Sequence, residues 1–139
     1  MINFTLICGL PGSGKTTLAN YLANQTPNSL VIDDPSINGI PTILDLKDYD
    51  HVFIADPAFC RRHTRLDAVL LLTNMFSDAK INYIFFENNP EQCIKNSKKR
   101  LESEPAKKVE SYIRYLSERY FHHDDTVYPV FSDDQGEKE

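Results

Sequence analysis

Short apolar runs alternate with helical stripes along the chain, and this alternation predicts a repeating strand–helix architecture. Five runs have the length and composition of buried strands: Asn3–Cys8, Ser29–Ile32, His51–Ala55, Ile81–Phe86 and Tyr128–Phe131. The segments between them predict four long helices: Lys15–Gln25, Arg61–Phe76, Asn89 to about Leu101, and Pro105–Tyr120. Because strands joined by helices form parallel sheets, we expect an α/β fold, a three-layer sandwich around a parallel five-stranded sheet.

Spacings of three and four residues predict which faces of two helices are buried. In the segment 61–76 the apolar stripe consists of Leu66, Val69, Leu70, Thr73 and Phe76. In the segment 105–120 it consists of Val109, Tyr112, Ile113, Leu116 and Tyr120. Prolines and a glycine interrupt the segment 33–50, which has room for only a short helix near Ile43–Lys47.

The length of 139 residues predicts one domain, residues 1–131, followed by an acidic tail at 132–139 that we expect to be disordered. No apolar run approaches the roughly 18 residues that cross a bilayer. The three cysteines are widely spaced, without a CxxC pair, so neither a disulfide framework nor a zinc site is indicated. We therefore expect buried free thiols and a cytoplasmic location.

The net charge of −5 is unevenly distributed. Residues 95–108 carry six basic side chains against two acidic ones, a local excess of +4, whereas the last twenty residues carry six acidic side chains against one lysine, a local net charge of −5. A local basic segment in an acidic chain indicates either a site for a polyanionic ligand or a solvated helix face.

One motif carries specific chemistry. Gly9-Leu10-Pro11-Gly12-Ser13-Gly14-Lys15-Thr16 matches the phosphate-binding loop G-x-x-x-x-G-K-[ST] at every fixed position, between a predicted strand and a predicted helix. In such a P-loop the glycines let backbone N–H groups surround a phosphate, the lysine reaches the β- and γ-phosphates, and the hydroxyl ligates Mg²⁺. The predicted nucleotide-binding residues are Gly9, Pro11, Gly12, Ser13, Gly14, Lys15, Thr16 and Thr17.

Elimination narrows the class of P-loop protein. A GTPase needs a base-reading N-K-x-D run, which is absent. Motor ATPases need a second acid beside the one that ends their third strand, and here Pro57 follows Asp56. A kinase acting on a small molecule or a nucleic acid remains.

Carboxylates and cations supply the other groups that phosphoryl transfer requires. Asp33 and Asp34 follow the second strand, where Asp33 is predicted to act as general base and Asp34 to contact the acceptor. Asp56 ends the third strand and is predicted to bind Mg²⁺, together with Thr16, or the acceptor. Arg61 is a candidate acceptor-binding residue, and Arg100 is predicted to stabilise charge on the transferred group.

The order of these motifs resembles the kinase domain of phage-type polynucleotide 5′-hydroxyl kinases and of their zeta-toxin-like and adenylylsulfate-kinase-like relatives. The similarity extends over nearly the whole chain, through Gly9–Ala19, Asp33-Asp34, Ile54–Asp56, Ile81–Arg100 and Val109–Tyr120. It implies ATP and Mg²⁺ as ligands, a nucleoside-kinase-like fold with a short lid, and transfer of the γ-phosphate to a hydroxyl. It also implies that the general base is one of the pair Asp33-Asp34 and that Arg100 is the lid arginine.

Departures from that pattern concern the acceptor. Ser36 stands where the family carries an arginine, Asn96 replaces a lid arginine, and the segment 35–50 is short. Two functions follow. The first is an ATP-dependent kinase that acts on a nucleic acid or nucleotide, including a hydroxymethylated base in DNA. The second is a nucleotide-binding regulatory module whose acceptor site is reduced or lost.

Overall fold

A computed structural model describes residues 2–35, 39, 43–99, 103–121 and 127–132. The strands are β1 Asn3–Cys8, β2 Ser29–Asp33, β3 His51–Ala55, β4 Lys80–Phe86 and β5 Val127–Tyr128. The helices are α1 Lys15–Gln25, α2 Ile43–Leu46, α3 Arg62–Met75, α4 Pro90–Lys98 and α5 Ser103–Ser117, with a 3₁₀ turn at Pro57–Cys60. The predicted α/β class is confirmed, and the 3₁₀ turn is an element that the sequence pattern did not indicate.

The five strands form one sheet in the order β2-β3-β1-β4-β5, with every pair parallel. The central strand β1 pairs with β3 in a register that sets Ile7 opposite Ala55, while Asp33 at the end of β2 also lies opposite Ala55. The carboxyl ends of β1, β2 and β3 therefore meet at one edge, where open α/β sheets bind ligands.

Alternation along β1 divides the core between the two faces of the sheet. Phe4, Leu6 and Cys8 belong to the larger cluster, which includes buried residues of α3, α4 and α5. Ile7 belongs to the smaller cluster with Ala19 of α1. Helix α1 thus covers one face and α3, α4 and α5 the other, which is the predicted three-layer arrangement.

Two of the five residues predicted for the apolar stripe of α3 are wrong. Leu66 and Leu70 are 48% and 61% exposed, and the buried positions are Arg65, Ala68 and Leu72. Arg65 lies on the buried face of the helix because its guanidinium has partners in the interior. It donates to the carbonyl of Phe59 at 2.6 Å and to that of Phe121 at 3.4 Å, and lies 5.4 Å from the Phe85 ring centre.

The stripe of α5 is mostly correct. Ile113, Leu116 and Tyr120 are buried, whereas Tyr112 is 40% exposed. The Tyr120 hydroxyl lies within hydrogen-bond distance of the Phe86 carbonyl and, at 3.2 Å, of the Cys8 carbonyl. These contacts attach the segment after α5 to the ends of β4 and β1, directly beside the P-loop.

The three cysteines are free and buried, as predicted. Burial raises the pKa of Cys60 and of Cys93 to about 12, and raises the pKa of Cys8 further still. Within the described ranges no helix is long and apolar enough to cross a membrane. The predicted tail lies almost entirely outside the described residues, and its disorder stays a prediction.

Candidate functional site

The P-loop joins β1 to α1 with the backbone shape that a phosphate cradle requires. Gly12 and Gly14 have φ angles of 85° and 105°, in the left-handed region that side chains disfavour, and Gly14 occupies the N-cap position of α1. The Ser13 N–H donates to the Leu10 carbonyl at 3.1 Å, which tightens the turn. The N-terminus of α1 faces the cleft that the loop bounds, so its unpaired N–H groups and positive dipole end favour an anion there.

Lys15 is held at the base of this cleft. Its side chain is 7% exposed, and Nζ donates to the Leu10 carbonyl at 2.9 Å. Burial lowers the pKa of the Lys15 ammonium, while the nearby acidic groups, Asp34 and Asp33 among them, act in the opposite direction. A phosphate beside Nζ would supply the compensating charge that burial demands.

Asp33 and Thr16 are in direct contact. The Thr16 hydroxyl donates to Asp33 Oδ1 at 3.1 Å, although the two residues come from α1 and β2. Both side chains are exposed to the cleft. The pair provides two adjacent oxygen ligands, the donor type that Mg²⁺ prefers.

Asp34 has a different orientation and a different environment. Its backbone has a φ of 49°, and its N–H donates to the Ala55 carbonyl at 2.8 Å. Burial raises the pKa of the Asp34 carboxyl, the charges of Asp33 and Asp56 raise it further, and Lys15 lowers it. Asp34 therefore lies among the other ionised groups of the site, and its raised pKa makes its carboxylate a stronger base.

Asp56 is fixed in a structural contact. It is 1% exposed, and its Oδ1 accepts the Ala58 N–H at 2.8 Å, so that Asp56 caps the 3₁₀ turn. This local bond explains why the chain turns sharply after β3. Its role as a Mg²⁺ ligand stays a prediction. Thr16, the residue predicted to bind the metal together with Asp56, donates its hydroxyl to Asp33.

Asn96 connects three parts of the site. Its Nδ2 donates to the Gly12 carbonyl at 2.9 Å and to the Phe131 carbonyl at 2.7 Å. Its Oδ1 accepts from Gln92 Nε2 at 2.8 Å, one helical turn earlier on α4. The Phe131 N–H donates to the Ser13 carbonyl at 3.1 Å. Helix α4, the P-loop and the segment after β5 are therefore fastened together through one buried amide.

Two connected cavities adjoin this junction. A polar cleft of about 270 Å³ is lined by Lys15, Thr16, Asn96, Lys99 and Phe131. A more apolar hollow of about 520 Å³ continues from it past Phe131 to Tyr128, Tyr21 and Leu18. The first cavity offers the ammonium group of Lys15 to a phosphate, and the second offers aromatic rings on which a flat group such as a nucleobase can stack.

Helix α4 packs directly on the P-loop. A Cβ atom added to Gly12 would lie 2.7 Å from Ser97 Oγ. Ser13 Oγ and Ser97 Oγ are fully enclosed and have no hydrogen-bond partner among the described residues.

The remaining predicted residues divide between two places. Arg61 lies between the 3₁₀ turn and α3, beyond Asp56, and lines a separate groove. Arg100 lies outside the described residues, so its role stays a prediction.

Two residues of the site were not predicted from the sequence: Phe131, and Asn96 as a residue that connects parts of the site. The Gln92–Asn96 spacing of four is a local signal for an amide pair, but nothing local indicates the contacts with Gly12 and Phe131.

Comparison with solved structures identifies the architecture. A gluconokinase from Sinorhizobium meliloti 1021 matches with a TM-score of 0.58 and 14% identity, over 93% of this chain and 81% of that chain. A fungal RNA kinase matches with a TM-score of 0.59 and 18% identity, over 95% of this chain and 76% of that chain. A chain of the Pnkp1/Rnl/Hen1 RNA repair complex matches with a TM-score of 0.56 and 17% identity, over 86% of this chain and 46% of that chain. This set shows that the fold is that of the P-loop kinases.

Comparison at the level of sequence gives a closer relationship. No family model matches the chain. A curated protein, uncharacterized protein R277 of Acanthamoeba polyphaga mimivirus, is 30% identical over 118 residues, which make up 83% of this chain and 83% of that protein. The chain therefore belongs to the same family as the mimivirus protein R277, and this family has the fold of a P-loop kinase.

Proposed function

We propose that the protein is an ATP-dependent kinase that transfers the γ-phosphate to a hydroxyl group on a nucleic acid or nucleotide. The observation that carries the proposal is the pair of adjacent carboxylates beside the P-loop, one bonded to Thr16 and the other near Lys15. Such a pair supplies both a metal ligand and a base at the place where a γ-phosphate would lie. The fold shared with a gluconokinase and an RNA kinase supports the same class of reaction.

The cavities fit ATP. The phosphates would lie in the cleft beside Lys15, and the adenine in the apolar hollow beside Phe131. Thr16 and Asp33 would hold Mg²⁺, which supplies charge neutralisation for the phosphates when bound. Arg100 keeps its proposed role of stabilising the transferred group.

The geometry supports a division of roles between the two carboxylates. Asp33 is engaged with Thr16 and would act on the metal side, whereas Asp34 is nearer to Lys15 and Asp56 and would act as the base. This reverses the roles predicted from the sequence. In the step, the Asp34 carboxylate takes the proton of the acceptor hydroxyl and the acceptor oxygen bonds to the γ-phosphorus. The bond from that phosphorus to the β,γ-bridging oxygen breaks, and ADP leaves.

The first test is transfer of γ-labelled phosphate to a panel of DNA, RNA, nucleosides and DNA with hydroxymethylated bases. Asp34→Asn should lower kcat by about 10²-fold or more with little change in nucleotide affinity, the usual loss for a general base. Asp33→Asn should instead weaken Mg²⁺-dependent nucleotide binding, and Asp48→Asn, at an exposed carboxylate, serves as control. Label transfer to no acceptor would refute the kinase. Equal effects of the two site variants would refute the division of roles.

A pH profile tests the same assignment. Because the pKa of Asp34 is raised, activity should fall as the pH drops through a value above the ordinary pKa of aspartate, as the base becomes protonated. In the metal-free protein, Asp33→Asn removes a like charge and should lower the pKa of Asp34, which NMR of the side-chain carboxyl can follow. An activity profile whose acid limb survives in Asp34→Asn would show that Asp34 is not the titrating base.

A second candidate is a nucleotide-binding regulatory module. It is favoured by the burial of Asp56, which takes one carboxylate of the acceptor side into a structural contact. This candidate predicts nucleotide binding that is lost in Lys15→Ala, without transfer to any acceptor in the panel. Measurable transfer would exclude it.

A further inference from the structure

A basic and aromatic groove lies beside the 3₁₀ turn that Asp56 caps. It has a volume of about 610 Å³ between the N-terminal end of α3 and the segment after α5. Its basic residues are Arg61, Arg62 and Arg119, and its aromatic residues are Tyr115 and Phe121. None of the functions assigned above uses these five residues together.

The aromatic side chains of the groove are unusually exposed for their size. Phe121 is 77% exposed and Tyr115 is 41% exposed. Tyr112, 40% exposed, extends the surface by stacking on Tyr115, with ring centres 6.5 Å apart and planes inclined by 13°. Flat exposed rings of this kind are platforms on which nucleobases stack.

The groove is positively charged although the chain as a whole is acidic. Three arginines line it against one glutamate, Glu118. Arg119 lies 3.8 Å from the centre of the Tyr115 ring, a cation–π contact that keeps its guanidinium at the surface of the ring. This charge complements a polyanion.

The groove lies close to the candidate site, and a buried arginine anchors the backbone of its most exposed ring. The buried Arg65 donates to the Phe121 carbonyl and thereby fixes the backbone that carries the exposed ring. Arg61 follows the 3₁₀ turn that Asp56 caps, which separates the two residues by roughly 10 Å at the rise of a 3₁₀ helix. Tyr112 lies within electrostatic reach of both Arg61 and Asp34.

We infer that this groove binds a single-stranded polynucleotide and directs a hydroxyl at its end towards Asp34. Bases stack on Phe121, and phosphates pair with Arg61, Arg62 and Arg119. The inference rests on the proposed kinase function and names its acceptor: a strand of several nucleotides. The groove compensates for the short segment 35–50, because acceptor contacts come from α3 and the end of α5.

Binding is measured without ATP, by the fluorescence anisotropy of labelled oligothymidylate and of a mixed-sequence RNA. Phe121→Ala should weaken binding by about tenfold, the loss expected for one stacked base. Leu70→Ala, at an exposed apolar residue of α3 outside the groove, should have no effect. Arg119→Ala should weaken binding and lower the slope of log affinity against log salt by about 0.7, the share of one phosphate on a single strand. Arg114→Ala is the matched control, since Arg114 is an exposed arginine of α5 outside the groove.

Polyglutamate separates a nucleic acid from a generic polyanion. Equal binding of polyglutamate, or binding unaffected by Phe121→Ala, would overturn the inference, because neither requires base stacking. Absence of oligonucleotide binding by the wild type, together with transfer of label to a mononucleotide, would overturn the groove and leave the kinase intact. Oligonucleotide binding that depends on Phe121, without transfer to any acceptor, would support the groove and refute the kinase.

Discussion

Replacement of Asn96 by alanine tests whether one amide holds the nucleotide site together. The change removes the hydrogen bond from Gln92, whose half-buried amide water can satisfy instead. It also removes two hydrogen bonds that link α4 to other segments, to the carbonyls of Gly12 and Phe131 at 2.9 and 2.7 Å. Each is worth about 0.5–1.5 kcal/mol, for a loss of about 2 kcal/mol in the free energy of unfolding. Alanine returns about 0.5 kcal/mol through its higher helix propensity. The net expected loss is therefore about 1.5 kcal/mol.

Asn74→Ala is the matched control for this prediction. Asn74 is exposed on α3, so its replacement gains the same propensity and removes no buried contact. Urea unfolding at a slope of about 2 kcal/mol/M should place the midpoint of Asn96→Ala roughly 1 M below that of Asn74→Ala. Nucleotide affinity, measured by calorimetry, should fall in the first variant alone. If the two variants differ by less than about 0.5 kcal/mol, Asn96 does not hold the loop and the reasoning is refuted.

Three further predictions concern the same region. Gly12→Ala sets a Cβ atom 2.6 Å from a carbonyl oxygen of α4 in a left-handed backbone, and should lower the free energy of unfolding by about 2–5 kcal/mol. Gly39→Ala, with the same φ of 85° but open space around it, should lower it by about 1–2 kcal/mol. Equal losses of the two variants in urea unfolding would refute the clash. Tyr120→Phe removes the hydroxyl that contacts two carbonyls and should lower the free energy of unfolding by about 1–3 kcal/mol. Tyr21→Phe, at an exposed ring, should change it by no more than about 0.5 kcal/mol. A Tyr120→Phe variant as stable as the wild type would contradict the role given to the hydroxyl. Because burial raises the pKa of all three thiols, an aromatic disulfide reagent at pH 8 should label them only in urea; rapid labelling of the folded protein would contradict their burial.

Local patterns were sufficient for most of the fold. The bounds of β1, β3 and α1 agree with the prediction to the residue, because each combines a clear period with a strong start or stop signal. The P-loop followed from its motif, since its glycines and lysine have one common structural use. These elements depend on residues close together in the chain.

Features that depend on distant residues were missed. The buried face of α3 follows Arg65, whose partners Phe59 and Phe121 lie on either side of it in the chain, and a count of apolar spacings assigns an arginine to the surface. The junction at Asn96 unites residues from three separate segments. The two aspartates after β2 were identified together, but the difference between them depends on a left-handed backbone at Asp34, which their identical side chains do not reveal.

The bond between the Phe131 N–H and the Ser13 carbonyl has a consequence for synthesis of the protein. The two residues are separated by roughly 120 positions, which a ribosome adds in about 6–24 s at 5–20 residues per second. During that interval the P-loop has emerged without the segment that braces it. The loop therefore reaches its braced form only after Phe131 has been made.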